Sequence, residues 1–160
     1  MASHGITLTT GEKFYLKDSR FIHMYLTLGG VTQELHGFQN GEAVSWTKNE
    51  DDVVVDDDFA GFPIGMINHS KRGGFTLNLN DGSPANRAVY KAYKNQMNYT
   101  DGEIPTFGFS VVNENNGETA ESATCLIQKM PDGNVTNTIG PKTWSVLGLE
   151  YSNTFDDDED

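Results

Sequence analysis

Four histidines, His4, His23, His36 and His69, and one cysteine, Cys125, are the residues best able to bind a transition metal or act as a nucleophile. A transition-metal site needs several such ligands converging, and a His-x-x-x-His pair on a helix is the usual signature. No two histidines stand at that spacing, and one cysteine supplies neither an intramolecular disulfide framework nor a multi-thiolate site. His23 alternates with the apolar positions of its segment, so it is expected to face solvent or a neighbouring subunit. Cys125 lies inside an apolar run, where a small buried thiol is the expected state. A nucleophilic cysteine would want an activating base and an exposed position. There is no Gly-x-Ser-x-Gly elbow, phosphate loop or dinucleotide fingerprint. No catalytic residue, cofactor or metal ligand is assigned, and the chain reads as a non-enzyme.

The strongest candidate for cation chemistry is Glu50-Asp51-Asp52 with Asp56-Asp57-Asp58. Calcium takes six to eight oxygens converging on one point, whereas consecutive residues of an extended chain point to opposite sides. The Asp-x-Asp-x-Asp-Gly order of a helix-loop-helix calcium loop is absent, so a solvated acidic loop or a subunit contact is favoured. Asn68, Asn98 and Asn134 each open an Asn-x-Ser/Thr triplet. Met1-Ala2-Ser3-His4-Gly5 has neither the basic cluster nor the apolar stretch of a secretory signal, so the triplets read as chance matches.

The chain has 160 residues, with 23 Asp and Glu against 11 Lys and Arg, a formal charge of -12. Two blocks carry this excess, Glu50 to Asp58 and Asp156 to Asp160, and the remainder is nearly neutral. Proteins that grip phosphates show the opposite bias, which argues against tight nucleic-acid binding. An acidic surface that keeps nucleic acid from sticking is compatible with it. No apolar run approaches the roughly 18 residues of a membrane helix, and an integral membrane protein is not expected. The length fits one domain over residues 1–155, followed by an acidic tail at 156–160 expected to be solvated.

The elements that must hold these residues are mostly strands. In Phe21 to Leu28, the alternate residues Ile22, Met24, Leu26 and Leu28 fit one buried face, ended by Gly29-Gly30. Val44 to Thr47 is a second apolar piece, and Val53-Val54-Val55 is either a short strand or the stem of an extended loop. Phe59 to Gly65 reads as an ordered loop whose aromatics need somewhere to pack. Phe75, Leu77 and Leu79 alternate with Thr76, Asn78 and Asn80 in the clearest strand of the chain. Ser83 then offers an N-cap and Pro84 a first helical position for a helix over Ala85 to Asn95. Its apolar stripe is Ala88, Val89, Ala92 and Tyr93, with Tyr90 and Met97 alongside, and Arg87, Lys91 and Lys94 lie towards its end. Phe107, Phe109 and Val111 alternate before Asn113-Glu114-Asn115-Asn116-Gly117, an Asn-Gly hairpin signal. Ala123 to Met130 is the expected return strand, and Trp144 to Tyr151 the last. Strands at short intervals with one helix predict an all-β, antiparallel sandwich or barrel.

Taken together, several segments resemble bacteriophage tail tube proteins, most like those of contractile-tailed phages. They are Gly41-Glu42-Ala43-Val44-Ser45-Trp46, Gly73-Gly74-Phe75-Thr76-Leu77-Asn78-Leu79, Ser83-Pro84-Ala85-Asn86, Thr124-Cys125-Leu126-Ile127 and Trp144-Ser145-Val146. The resemblance implies six-membered rings stacking into a hollow tube, with strands of every subunit joined in one inner β-barrel that closes the sheet edges. It implies that residues 50 to 70 form an inter-ring loop and the chain start an arm. Sheath, baseplate and tail terminator would be partners, and the genome would pass through the lumen without specific binding. The location implied is the virion, after synthesis in the bacterial cytoplasm. Acids lining the lumen would repel phosphates over about 8 Å at physiological salt. Asp51, Asp52, Asp56, Asp57, Asp58, Phe59 and Phe62 become the candidates for contacts between subunits or rings. Two other readings stay open, a tail terminator or baseplate ring that does not stack, and a calcium- or carbohydrate-binding β-sandwich.

Overall fold

A computed structural model describes residues 5–155, and the alternation expected near Phe75 is realised there residue by residue. In the strand Gly73–Asn80, Phe75, Leu77 and Leu79 are buried while the residues between them are partly exposed. The strands in chain order are β1 (Gly5–Thr7), β2 (Lys13–Tyr15), β3 (Ile22–Leu28), β4 (Val31–Glu34), β5 (Val44–Lys48), β6 (Val53–Asp57), β7 (Pro63–Ile67), β8 (Gly73–Asn80), β9 (Phe107–Asn113), β10 (Glu118–Lys129), β11 (Pro141–Gly148) and β12 (Tyr151–Thr154). Among the described residues, one helix, α1 (Ala85–Met97), and a 3-10 turn at Ser19–Phe21 complete the set.

Eight strands form one antiparallel sheet in the order β4-β3-β9-β10-β11-β8-β5, with β12 paired to β10. The sheet curls strongly. Leu35 still donates its N–H to Met24 of β3 (2.8 Å), yet Phe38 already bridges Leu79 of β8, near the other end of the order. Three residues span at most about 10 Å, so the two ends of the sheet lie close together. Phe75 of β8 and Phe109 of β9 confirm the curvature. Two strands separate them in the sheet, but their rings meet edge to face with centroids 5.0 Å apart across the core.

Strand β10 bends to make this possible. Its buried residues are Ala120 and Ser122 in the first half but Cys125 and Ile127 in the second, so the buried parity changes at a bulge between Ser122 and Cys125. The first half pairs with β12 and the second with β11. The Ser122 hydroxyl donates to Thr124 O (3.0 Å) and accepts from Glu150 N–H (3.2 Å), tying the bulge to the β11–β12 turn. The expected return strand Ala123 to Met130 therefore begins too late, because simple alternation cannot be read through a bulge. Likewise Trp144 to Tyr151 is not one strand but the end of β11, a turn at Leu149-Glu150 and the start of β12.

Helix α1 buries Ala85, Val89 and Ala92, with Ala88 and Tyr93 packed against the core, as the apolar stripe requires. Tyr90 and Met97, placed alongside that stripe, are instead exposed. Ser83 is buried and its hydroxyl accepts from Ala85 N–H (3.2 Å) while donating to His36 O (2.7 Å). It thereby caps the helix and pins it to the β4–β5 connection. At the other end Gln96 accepts from Ile127 N–H (2.7 Å) and donates to Ile127 O (3.1 Å), beyond the start of β9. Its amide replaces the missing strand neighbour.

Of the first-strand face, only Leu26 is fully buried; Ile22, Met24 and Leu28 are partly exposed. The Asn113–Gly117 hairpin is present with Gly117 at φ 72°, and among the described residues no non-glycine residue has positive φ. It is consequently a longer turn than the two-residue Asn-Gly type, which needs both central residues left-handed.

Candidate assembly surface

Strands β6 and β7 pair only with each other, in the register Val53↔Ile67, Val54↔Met66, Val55↔Gly65, Asp56↔Ile64 and Asp57↔Pro63. Opposed residues share a face, so Val53, Val55 and Ile67 lie on one side and Val54, Ile64 and Met66 on the other. All ten strand residues are exposed, Val55 at 61% and Ile67 at 68%. A soluble hairpin normally keeps one polar face, and an isolated two-stranded one is marginal in water. This hairpin is apolar on both.

The tip is built by Asp58. Its carboxylate accepts the N–H groups of Ala60 and Phe62, both at 2.9 Å, and its own N–H donates to Phe62 O (2.8 Å). Gly61 takes φ 87°, which an L-residue rarely adopts. The expected loop at Phe59 to Gly65 is thus a tight turn followed by β7. Its aromatics are not taken into the core of the chain: Phe59 is fully exposed and Phe62 is 67% exposed.

Polar clamps hold the base. Glu50 accepts from the Asn68 side chain and from Arg72, each at 2.5 Å, and Asp52 pairs with Lys48. Asn68 N–H donates to Asp52 O (2.7 Å) and Asn49 N–H to Arg72 O (3.0 Å). The hydrogen bond from Asn68, then the bond and charge of Arg72, hold the Glu50 carboxyl below the usual carboxylate range. Asp56 accepts from Asp57 N–H (2.8 Å), and Asp51 and Asp57 are exposed. The acids are spread along a hairpin. Among the described residues, no three His, Cys, Asp or Glu side chains gather as a metal site.

A second apolar extension precedes the sheet. Ile6 of β1 and Phe14 of β2 oppose each other and are exposed, as are Leu8, Tyr15 and Leu16. This pair, missed in the sequence because each strand is only three residues long, joins the body where Asn115 bonds both Asp18 N–H (3.0 Å) and Asp18 O (2.9 Å). Nor does the sequence pattern single out β4, β7 or β12 as separate strands.

The remaining sequence candidates sit apart from this surface. His23 Nδ1 lies 2.7 Å from Glu34 of β4 and is only partly exposed. Cys125 is wholly buried, its Sγ directed at Ser122 O (3.4 Å), and burial pushes its thiol up to about 11. That is the setting of a packing residue. The acidic tail at 156–160 and His4 lie outside the described residues. No described helix is long and apolar enough to cross a membrane.

No protein-family model matches the chain, and no curated protein matches it by sequence. Solved structures do match. The sheath/tube terminator of the extracellular contractile injection system PVC, in the extended state, aligns over 82% of this chain and 92% of its own, at 12% identity and TM-score 0.54. A chain of the extended PVC sheath-tube complex covers 83% and 88%, at 10% identity and TM-score 0.53. The tube-terminating cap of the anti-feeding prophage covers 94% and 100%, at 11% identity and TM-score 0.55. The chain therefore has the fold of tube-type proteins of contractile systems, in line with the resemblance carried by its strand and Ser-Pro segments.

Proposed function

We propose that this protein is a structural subunit of a contractile tail, assembling with copies of itself into hexameric rings that stack as the hollow tube. The observation that carries this reading is the β6–β7 hairpin, apolar on both faces and uncovered in the single chain. Contiguous exposed apolar patches mark interaction sites, and burying one Val, Ile or Phe side chain contributes about 1.5–3 kcal/mol. The edges of β4 and β5 also carry backbone groups without a sheet neighbour, the arrangement that a ring of joined sheets closes. In this reading Asp51, Asp52, Asp56, Asp57, Asp58, Phe59 and Phe62 make contacts between subunits or rings. Sheath, baseplate and terminator proteins are the partners. In a phage tail the genome passes through the lumen, the particle being the protein's location.

A specific observation favours a second reading: two of the solved structures described above are a terminator and a terminating cap. A terminator forms a closed ring without stacking. Negative-stain electron microscopy of the untagged protein, with light scattering across concentration, separates the two. Stacked sixfold rings support the tube, single rings support the terminator, and a monomer at every concentration overturns both. Replacing Asp56, Asp57 and Asp58 together with Ala should impair assembly while the subunit stays folded by circular dichroism. Normal tubes from that variant would remove the hairpin acids from the interface.

A further inference from the structure

Across Ser83 to Thr100 the chain contains no acid, and Arg87, Lys91 and Lys94 recur at helical spacing on the exposed side of α1. None of the three forms an ion pair among the described residues. Tyr90 and Met97 are exposed on the same helix, and Tyr99 just beyond it, at about half of their surface. A cationic stripe flanked by uncovered aromatic and thioether groups is an unusual feature in a chain of formal charge -12.

Its complement is on the same molecule. From Glu50 to Ile67 there are six acids and no base, interleaved with the exposed apolar residues of β6 and β7. Glu50 and Asp52 are engaged by Arg72 and Lys48, which leaves Asp51, Asp56, Asp57 and the turn-forming Asp58 without a cationic partner among the described residues. The two patches also match in length. Five-residue strands extend about 17 Å, and a 13-residue helix about 20 Å.

The fold keeps them apart within one subunit. The hairpin leaves the Gly73 end of β8, whereas α1 begins past the Asn80 end, about 24 Å further along that strand. No hydrogen bond or ion pair joins hairpin to helix among the described residues. We infer that the β6–β7 hairpin of one copy docks on the Arg87-Lys91-Lys94 face of α1 in a second copy. Such a contact joins two different patches, so it propagates head to tail and closes into a ring or continues as a stack. This inference rests on the self-assembly reading and names the receiving surface.

Charge exchange tests it. One variant carries Arg87→Glu, Lys91→Glu and Lys94→Glu; the other carries Asp51→Lys, Asp56→Lys and Asp57→Lys, sparing the turn-forming Asp58. Every substituted side chain is exposed, so each variant should melt like the wild type. Each alone should need at least a tenfold higher concentration to assemble by light scattering. A 1:1 mixture should regain assembly, because the altered helix then meets the altered hairpin. As a second measurement, a Lys91→Cys chain mixed with an Asp57→Cys chain should give a disulfide-linked dimer under mild oxidation. Wild-type assembly that the helix variant reproduces, or a mixture and a cysteine pair that both stay apart, overturns this contact alone. A wild-type chain that never assembles overturns the self-assembly reading together with it.

Discussion

The β8–β11 ladder and the β6–β7 ladder are both antiparallel and regular, but one is stabilised by what lies behind it and the other has nothing behind it. In β8 and β11 the inward residues Phe75, Leu77, Leu79, Trp144 and Val146 are at most 3% exposed, and α1 covers part of that face. In β6 and β7 residues of the same apolar character are half or more exposed for the most part, and only the polar clamp at Glu50 and the turn at Asp58 organise them. Apolar sequence therefore does two jobs in this chain. In the body it drives folding of the chain, and in the hairpin it stays uncovered, the state that the proposed assembly contact requires.

Truncating each region is the sharpest test of that difference. Trp144→Ala removes a buried ring and its Nε1–H bond to Asn86 (3.0 Å), and should cost about 3–5 kcal/mol by denaturant titration. Ile64→Ala, equally apolar but exposed, should shift the subunit's unfolding by less than about 0.5 kcal/mol. The same substitution should weaken assembly. An Ile64→Ala subunit as destabilised as Trp144→Ala would show that the hairpin belongs to the core.

The two regions should also respond to opposite ends of the pH scale. Cys125 in the body has its pKa raised by burial from 9.0 to about 11. Its protonated form is the one the fold retains, so this contribution is complete below pH 9 and is lost as pH rises through about 11. The loss should be at most about 2–3 kcal/mol and should vanish in Cys125→Ala. Glu50 in the hairpin base has a lowered pKa, so its contribution is present above the ordinary carboxylate range and lost as pH falls through the lower folded value. Amide exchange at Asn49 and Asn68, corrected for intrinsic rates, should accelerate there without change in the body. Glu50→Gln should flatten that dependence. It is the smallest of these effects because the group is at the surface.

Legibility in the sequence followed the same division. Where a strand keeps one face buried throughout, as in β8 and β9, period-two alternation marked the strand and its apolar face; β11 and β12 instead read as one strand, because the turn at Leu149-Glu150 interrupts no apolar pattern. The helix was legible from Ser83-Pro84 and the Val89-Ala92 stripe. The signal failed at β10, where the bulge shifts the buried face, and at β7, where Pro63, Gly65 and two apolar faces leave no alternation to read. The acidic residues 51 to 58 were singled out by charge alone, but the hairpin that presents them needed the pairing of Val53–Asp57 with Pro63–Ile67.

By itself the sequence determined the all-β class, the single helix with its cap, the buried Cys125 and the acidic segment, because these depend on neighbours a few residues apart. Only the tertiary structure decided that the sheet curls until Leu35 and Phe38 nearly join its two ends, and that the apolar hairpin is left uncovered. It alone set α1 and the hairpin at opposite ends of β8. Those features follow from contacts between residues far apart in the chain, where a bulge, a turn or three residues of connection redirect a strand whose local pattern is unchanged.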